Sequence, residues 1–398
     1  MNRNYLLRTA FLAILPIWLI NCSNGQTITN NYDPNAAKPK LKTDRFFLYQ
    51  PQKDWTYSHH PHITFFNGQF YAIWSNGLKD EDAVGQRILL SKSSDFNKWA
   101  EPNVLAEPNN NRVLTAAGFH QYNGTLVAYF GDYGAKKENT ELFAVTTTDG
   151  NSWSPRQSMG IPVNPNHGPQ KTASGRLIIC GNISFPYTDD PAGLSGWKMA
   201  GIYPKEMSGI SDNPDTFSQV QEKMGWPVGL CEGSFYQTDD NTIHMLLRST
   251  GTKFRGRLWL TESSDNGQTW SGPVETNFTD NCAKFHFGRL PDKRFYSVSC
   301  PTIEPPYVRT PLVLSISSDG IAFDKHYIIA DEIYQKKVEG LCKDGQYGYP
   351  HTMIHDGYMY IIVSRLKEAV EVIRISLDQL EDKAVEPADS HDDYKLFI

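Results

Sequence analysis

Lysine and arginine form no run anywhere in this 398-residue chain, and the formal net charge is −6. A nucleic-acid surface needs clustered positive charge to neutralise phosphates, so nucleic acid is excluded as the partner. Long apolar runs are also missing. The stretch Phe11–Ile20 is too short for a helix spanning a bilayer, which takes about 20 residues. Nor does any segment carry a convincing pattern for a helix longer than two turns. Cysteine is sparse: five residues follow Cys22, namely Cys180, Cys231, Cys282, Cys300 and Cys342. An odd number leaves at least one thiol outside any intramolecular bridge. Histidine is scarce too, with 11 in the chain, yet His59, His60 and His62 crowd into "YSHHPHI".

The N-terminus reads as a targeting segment. Arg3 and Arg8 flank the start, an apolar h-region follows, and Cys22 comes just after it. Residues 1–22 therefore read as a signal peptide. Its end resembles a bacterial lipobox, in which the cysteine is lipidated; Asn21 leaves plain cleavage as the alternative. The expected location is exported, as a periplasmic or cell-surface lipoprotein of a Gram-negative-type bacterium, touching membrane only through a lipid anchor. Residues 23–43 read as a flexible linker, with Gln26–Lys42 a polar tether that does not pack. Residues 44–398 form one domain, expected to be monomeric, whose acidic end from Leu380 to Asp389 is irregular.

What the chain has in quantity is aromatic residues, 12% of it, which favours strands. A short motif recurs: Ser94-Asp95 to Trp99, Thr148-Asp149 to Trp153, Ser264-Asp265 to Trp270, and Ser318-Asp319 to Phe323. Asp95 and Asp149 are 54 positions apart, as are Asp265 and Asp319. A degenerate copy, Asp212 to Phe217, falls in the double gap between them. Ser263–Trp270 fits S-x-D-x-G-x-T-W in full, the Asp-box. Its aspartate can take backbone N–H groups in a turn and its Trp can plug a gap between blades, which makes the motif scaffold. Upstream of each box lies a hairpin turn: Asn67-Gly68, Asn123-Gly124, Ser174-Gly175, Asp240-Asn241, Pro291-Asp292 and Asp356-Gly357. Strand-rich units at this period predict an all-β fold, a β-propeller with six countable blades. Arg45–Tyr49 is the strand expected to pair with the last unit and close the ring.

Propeller geometry gathers first-strand starts and second-strand ends on one face, where a ligand funnel forms. The residues expected there are His59, His60, His62, His120, His167, Glu232, His286 and His351, with Asn76, Tyr133, Asn182, Arg248 and Arg365. Two chemistries suit them. Proton transfer on an acidic sugar would use a His or Tyr as base and an Arg to hold a carboxylate. The catalytic candidates are His59, His60, His120 and Tyr133. The substrate-binding candidates are Trp74, Asn76, Arg87, Arg248, Tyr349, His351 and Arg365, with Trp74 and Tyr349 as stacking rings. For Arg248 and Arg365, a salt bridge or a bond to loop carbonyls is the alternative. The second chemistry is a structural zinc held by His167, Cys180, Cys231 and His286. Buried free thiols or a Cys180–Cys231 disulfide are the alternatives.

"WTYSHHPHITFFNGQFYAIWSNG" and "NPNHGPQKTASGRLIICGN" resemble exported bacterial propellers that act on rhamnose–glucuronic acid linkages: α-L-rhamnosidases of arabinogalactan and ulvan lyases. The resemblance covers most of residues 44–380. It implies seven blades and an acidic polysaccharide as partner. It implies a glycoside hydrolase removing terminal α-L-rhamnose, or alternatively a lyase working by β-elimination, or a glycan binder without catalysis. The lyase pattern implies His60, Tyr133 and Arg87 or Arg248 as the catalytic set, with a His/Cys zinc. The rhamnosidase pattern implies a catalytic His on the opposite face, and Gln50 is one place where this chain departs from it. Hydrolytic sialidases are also Asp-box propellers, with an Arg-Ile-Pro near the first strand, an Arg triad and a Tyr–Glu pair. No Arg-Ile-Pro occurs here, so a sialidase label from the Asp-boxes alone follows fold and not site.

Overall fold

The computed structural model describes residues 27–204, 214–251 and 256–380. Six antiparallel sheets follow one another along the chain. Blade 1 contains β2 (Tyr57–Phe66), β3 (Gln69–Gly77), β4 (Arg87–Ser93) and β5 (Asn103–Ala106). Blade 2 contains β6 (Arg112–Tyr122), β7 (Thr125–Gly134), β8 (Glu141–Thr147) and β9 (Gln157–Ser158). Blade 3 has three strands, β10 (His167–Lys171), β11 (Leu177–Cys180) and β12 (Tyr187–Thr188). Blade 4 contains β13 (Gly229–Gln237), β14 (Ile243–Thr250), β15 (Arg257–Ser263) and β16 (Val274–Thr279). Blade 5 contains β17 (His286–Arg289), β18 (Phe295–Ser299), β19 (Leu312–Ser317) and β20 (Lys325–Ala330). Blade 6 contains β21 (Gly348–His355), β22 (Tyr358–Arg365) and β23 (Ala369–Ser376), completed by β1 (Asp44–Tyr49) from the start of the domain. There are six blades among the described residues, and the seventh implied by the resemblance is not formed.

All six hairpin turns join the strands expected of them. Asn67-Gly68, Asn123-Gly124 and Asp356-Gly357 have positive φ at both central residues, the geometry whose twist matches the flanking strands. Ring closure is as expected from Arg45–Tyr49. β1 pairs with β23, and Arg45 forks onto the buried Glu371 at 2.7 and 3.0 Å. Arg365 reaches the same carboxylate at 2.6 Å. Two cations share one anion out of water, so the pair is held by geometry on both sides.

The Asp-boxes act as scaffold. Asp265 accepts from the N–H groups of Gln268 and Thr269 and from the Thr269 hydroxyl. Asp149 and Asp319 take two backbone N–H groups each in the same way. The aromatic residue closing each box packs against the preceding blade. Trp153 joins the apolar core between blades 2 and 1, Trp270 that between blades 4 and 3, and Trp99 that between blades 1 and 6.

Three expectations are corrected. Residues 27–42 are no free tether: Ile28 and Leu41 are buried, and Thr29 and Lys40 bridge to Asn277, Ala322 and Ile328 on the rims of blades 4 and 5. The pattern of Asn, Pro and Lys hid two well-spaced apolar anchors. A helix of 11 residues, α1 (Pro214–Met224), follows blade 3. Among its described side chains, Val220 is the one that packs fully into the core. The second half of the degenerate box, Pro214–Phe217, opens this helix in place of a turn between strands; Asp212 lies outside the described residues, as do the signal segment 1–22 and the tail beyond Leu380.

Removing the Asp265 carboxylate leaves two turn N–H groups without their acceptor, at a cost of about 1–3 kcal/mol. Asp265→Ala should therefore lower the thermal midpoint by a few degrees with the far-ultraviolet spectrum unchanged. Calorimetry checks this.

Candidate active site

The inner strands of five blades lose regular pairing near their mouths. The register of β2 with β3 shifts between His59 and His62, that of β13 with β14 between Cys231 and Ser234, and that of β21 with β22 between Gly348 and His351. A bulge of this kind re-aims a side chain that a flat strand would bury in the sheet. At three of these bulges a residue other than glycine sits in the left-handed region: His60 at φ 54°, Glu232 at 52° and Tyr349 at 55°. Each such residue costs about 1–3 kcal/mol, and such residues gather where a site needs them. The next residue is Pro61, Gly233 or Pro350.

The three side chains meet at the floor of a funnel of about 290 Å³. The Tyr349 hydroxyl donates to Glu232, and Arg248 reaches Glu232 at 2.5 Å and the Tyr349 oxygen at 3.0 Å. Burial pushes Glu232 up, but Arg248 and the Tyr349 hydrogen bond outweigh it and hold the carboxyl at about 2. Burial, with the Glu232 charge, pushes the Tyr349 phenol well above its ordinary value. The resting pair is thus a neutral phenol on an ionised carboxylate.

Around this pair the funnel is charged in both signs. Arg309 comes from the long connection between β18 and β19 and lies over the Tyr349 ring at 5.7 Å. It donates to the Cys282 carbonyl, while its Nε and Nη1 are buried without a hydrogen-bond partner among the described residues. Glu81 and Asp82 arrive from the loop after β3. Asp82 accepts from Tyr133 at 2.5 Å and pairs with Lys137 at 2.8 Å. Burial pushes Asp82 up, but Lys137 wins and holds it below the usual carboxylate range. Blades 2 and 3 contribute short groups to the wall, Thr115, Asn164, Asn166 and Asn182.

The histidines do not share one rim. His59 and His60 stand at the funnel, with the His59 ring tilted against Tyr349, 4.0 Å between centroids. His62, His167, His286 and His351 converge on the axis beneath, with neighbouring centroids 4.7–6.0 Å apart. Burial holds all four neutral. Blades 2 and 3 make room for them through close-packed glycines: a Cβ on Gly118, at φ 103°, would lie 3.0 Å from both Gly168 and His62. His120 lies three residues before the Asn123-Gly124 turn, bonded to the Pro191 carbonyl at 2.8 Å. It is at the far end of β6, because that strand begins eight residues before it.

Several expected site residues are framework instead. Trp74 is fully buried in the seam between blades 1 and 6, so no sugar reaches it. Asn76 bonds the Tyr57 carbonyl, and Arg87 stacks on Trp55 at 3.5 Å. Tyr133 is buried, held by Thr115 and Asp82. Arg365 serves ring closure. The expected zinc set does not assemble: Cys180 faces the blade core against Met245 at 3.6 Å, away from the axis that holds His167 and His286. Cys231 lies up beside Glu232. All five later cysteines are free thiols, so no Cys180–Cys231 bridge forms.

The fold and this funnel define a class: a six-bladed Asp-box propeller whose inner strands deliver a buried Tyr–Glu–Arg cluster to one end. By sequence the chain belongs to the BNR repeat-like domain family, whose model matches residues 68–361. No curated protein matches the chain by sequence. Among solved structures, a protein of unknown function from Dyadobacter fermentans is similar, with TM-score 0.59, 15% identity, and coverage of 85% of this chain and 100% of that one. Trypanosoma rangeli sialidase gives 0.58 at 13% identity over 83% of this chain, which spans 59% of the sialidase. The GH93 alpha-L-arabinofuranosidase of Fusarium graminearum, solved with arabinobiose, gives 0.52 at 11% identity, covering 84% and 98%. These likenesses establish the shared propeller.

Lys284 lies buried at the centre, bonded to the Asn166 carbonyl and 5.2 Å from the Tyr349 ring centroid. Burial pulls its ammonium from 10.5 down to about 7, with Glu232 opposing. Between those values the unfolded chain binds the proton more tightly, so stability rises with pH across that window. Lys284→Met should therefore be the more stable protein near neutral pH, and its advantage should shrink as pH rises towards 10.5. Thermal midpoints of both proteins across that range check it; a constant gap would contradict it.

Proposed function

We propose that this protein is a glycoside hydrolase acting on an acidic glycan, with Tyr349 as nucleophile and Glu232 as its base. The observation that carries this reading is the Tyr349 hydroxyl bonded to Glu232 at the floor of the funnel, with Arg248 on both. Glycosidases that use tyrosine in place of a carboxylate nucleophile are an established variant of the retaining mechanism. The choice makes electrostatic sense for an anionic sugar, because a neutral phenol does not repel the substrate before bonding begins. As the Tyr349 oxygen attacks the anomeric carbon, its proton passes to Glu232. The bond to the leaving oxygen breaks, and that oxygen takes its proton from solvent water, because Lys137 keeps Asp82 ionised. Water then attacks the tyrosyl glycoside, its proton neutralising the hydroxide left by the first step, while Glu232 returns its proton to the phenol oxygen and the sugar is freed. The free N–H groups of Arg309 are suited to a carboxylate on the substrate.

The finer substrate assignment rests on the sequence resemblance: terminal α-L-rhamnose linked to glucuronic acid, met by an exported, lipid-anchored monomer. Elimination has less support, because Tyr133 is buried and tied up by Thr115 and Asp82.

Rhamnose-capped arabinogalactan, a sialoside and an arabinan should be incubated separately, reading free sugar and ultraviolet absorbance. Release of a sugar without an unsaturated product is expected from an acidic substrate. Glu232→Gln should lower kcat by roughly 10²–10⁴, and Tyr349→Phe at least as much. Unsaturated product, or a Tyr349→Phe variant within about tenfold of the parent, would end the hydrolase reading.

A further inference from the structure

Two imidazoles and a carboxylate are left facing one another on the blade 1 side of the funnel. His59 and His60 are neighbours in sequence, and the bulge in β2 lets both be used. His59 Nδ1 lies 2.6 Å from the Ser364 hydroxyl of blade 6, and His60 Nδ1 lies 3.2 Å from the Ser75 hydroxyl. With each Nδ1–H donating to its serine, each Nε2 keeps its lone pair. Those Nε2 atoms point at Oε1 of Glu81, 3.8 Å from His59 and 3.7 Å from His60. Lys367 takes the other oxygen, Oε2, at 2.7 Å. His59 Nε2 is fully buried with no hydrogen-bond partner. A buried, unpartnered nitrogen aimed at a carboxylate needs something between them.

We propose that His59, His60 and Glu81 form a divalent-cation site, best suited to zinc, with an open position towards the funnel. The donor set is two imidazole nitrogens and one carboxylate oxygen, which suits a borderline ion, and three protein ligands leave one place for water or substrate. Zinc bonds of about 2.0–2.1 Å in a tetrahedron put donor atoms roughly 3.4 Å apart, so the two histidine–carboxylate distances of 3.8 and 3.7 Å need close by only a few tenths of an ångström. Ser364 and Ser75 fix both rings by the nitrogen that the ion does not use. Among the described residues this is the one group of three such side chains whose donor atoms all lie within 4.8 Å of one another. The axial histidines and the His167/Cys180/Cys231/His286 set do not gather this closely. The cation would put positive charge on the side where blade 1 brings Glu81 and Asp82 but no arginine. That it meets a sugar oxygen rests on reading the funnel as the glycan site; that it binds does not.

Zinc chloride should be titrated calorimetrically into the full-length chain after chelator treatment, with elemental analysis following dialysis. One equivalent is expected, with a rise in the thermal midpoint. His59→Ala and Glu81→Gln should abolish tight binding. Ser364→Ala, which touches no ion, should weaken it by roughly 10–100-fold. His351→Gln should leave it unchanged, and so should Tyr349→Phe, which separates this site from the hydrolase reading. Far-ultraviolet spectra confirm that each variant folds. Less than roughly one-tenth of an equivalent in the parent protein, or parental affinity in both Glu81→Gln and Ser364→Ala, would overturn the proposal.

Discussion

The structure depends on one closure: six twisted sheets become a ring only when β1 pairs with β23. The seam carries a buried ion cluster, with Glu371 between Arg45 and Arg365. Such a cluster gives little net stability and much specificity, because any other register strands a charge out of water. The funnel straddles the boundary between blades 6 and 1. His60 and Glu81 belong to blade 1, and Tyr349, Ser364 and Lys367 to blade 6 and the loop after β22. Blade 4 supplies Glu232 and Arg248 from across the ring. A register slip at the rim would therefore part His59 from Ser364 and from Tyr349.

Convergence alone does not make the site; irregularity does. A regular inner strand alternates its side chains between the two neighbouring gaps, where they pack into blade cores. The bulges at His60, Glu232 and Tyr349 turn one side chain per strand along the axis instead. Below the bulges in blades 1 and 6 regularity returns, and two residues on stand the neutral His62 and His351, tilted against each other at the axis. In blades 1 and 6 the strained group above and the relaxed, uncharged histidine below thus come from a single change of register.

The fold was largely legible because its signals are local. An Asn-Gly turn or an Asp-box needs only its own few residues, and 54-residue spacing makes them a repeat. Arg248 was legible as a strand-end residue and Tyr349 as a stacking ring, and Glu232 could be placed at the same rim as Arg248. The Tyr–Glu pairing was not, because it joins residues 117 positions apart. Arg309 was missed because it comes from a connection between strands with no periodic pattern. Trp74, Arg87 and Arg365 looked available because a lone sequence cannot tell a funnel wall from a seam. A usable clue was present: His60-Pro61, Glu232-Gly233 and Tyr349-Pro350 each put a ladder-breaking residue inside an inner strand.

The closing strand also orders the birth of the molecule. Among the described residues β1 is the first strand of the ring to be made, and its partner β23 is the last. On the ribosome β1 has to wait, unpaired, while five blades and most of a sixth emerge. Contacts so distant in sequence form slowly. The Tyr349 funnel, which needs the first and last blades side by side, comes into being only with that final stitch, so no incomplete chain carries it.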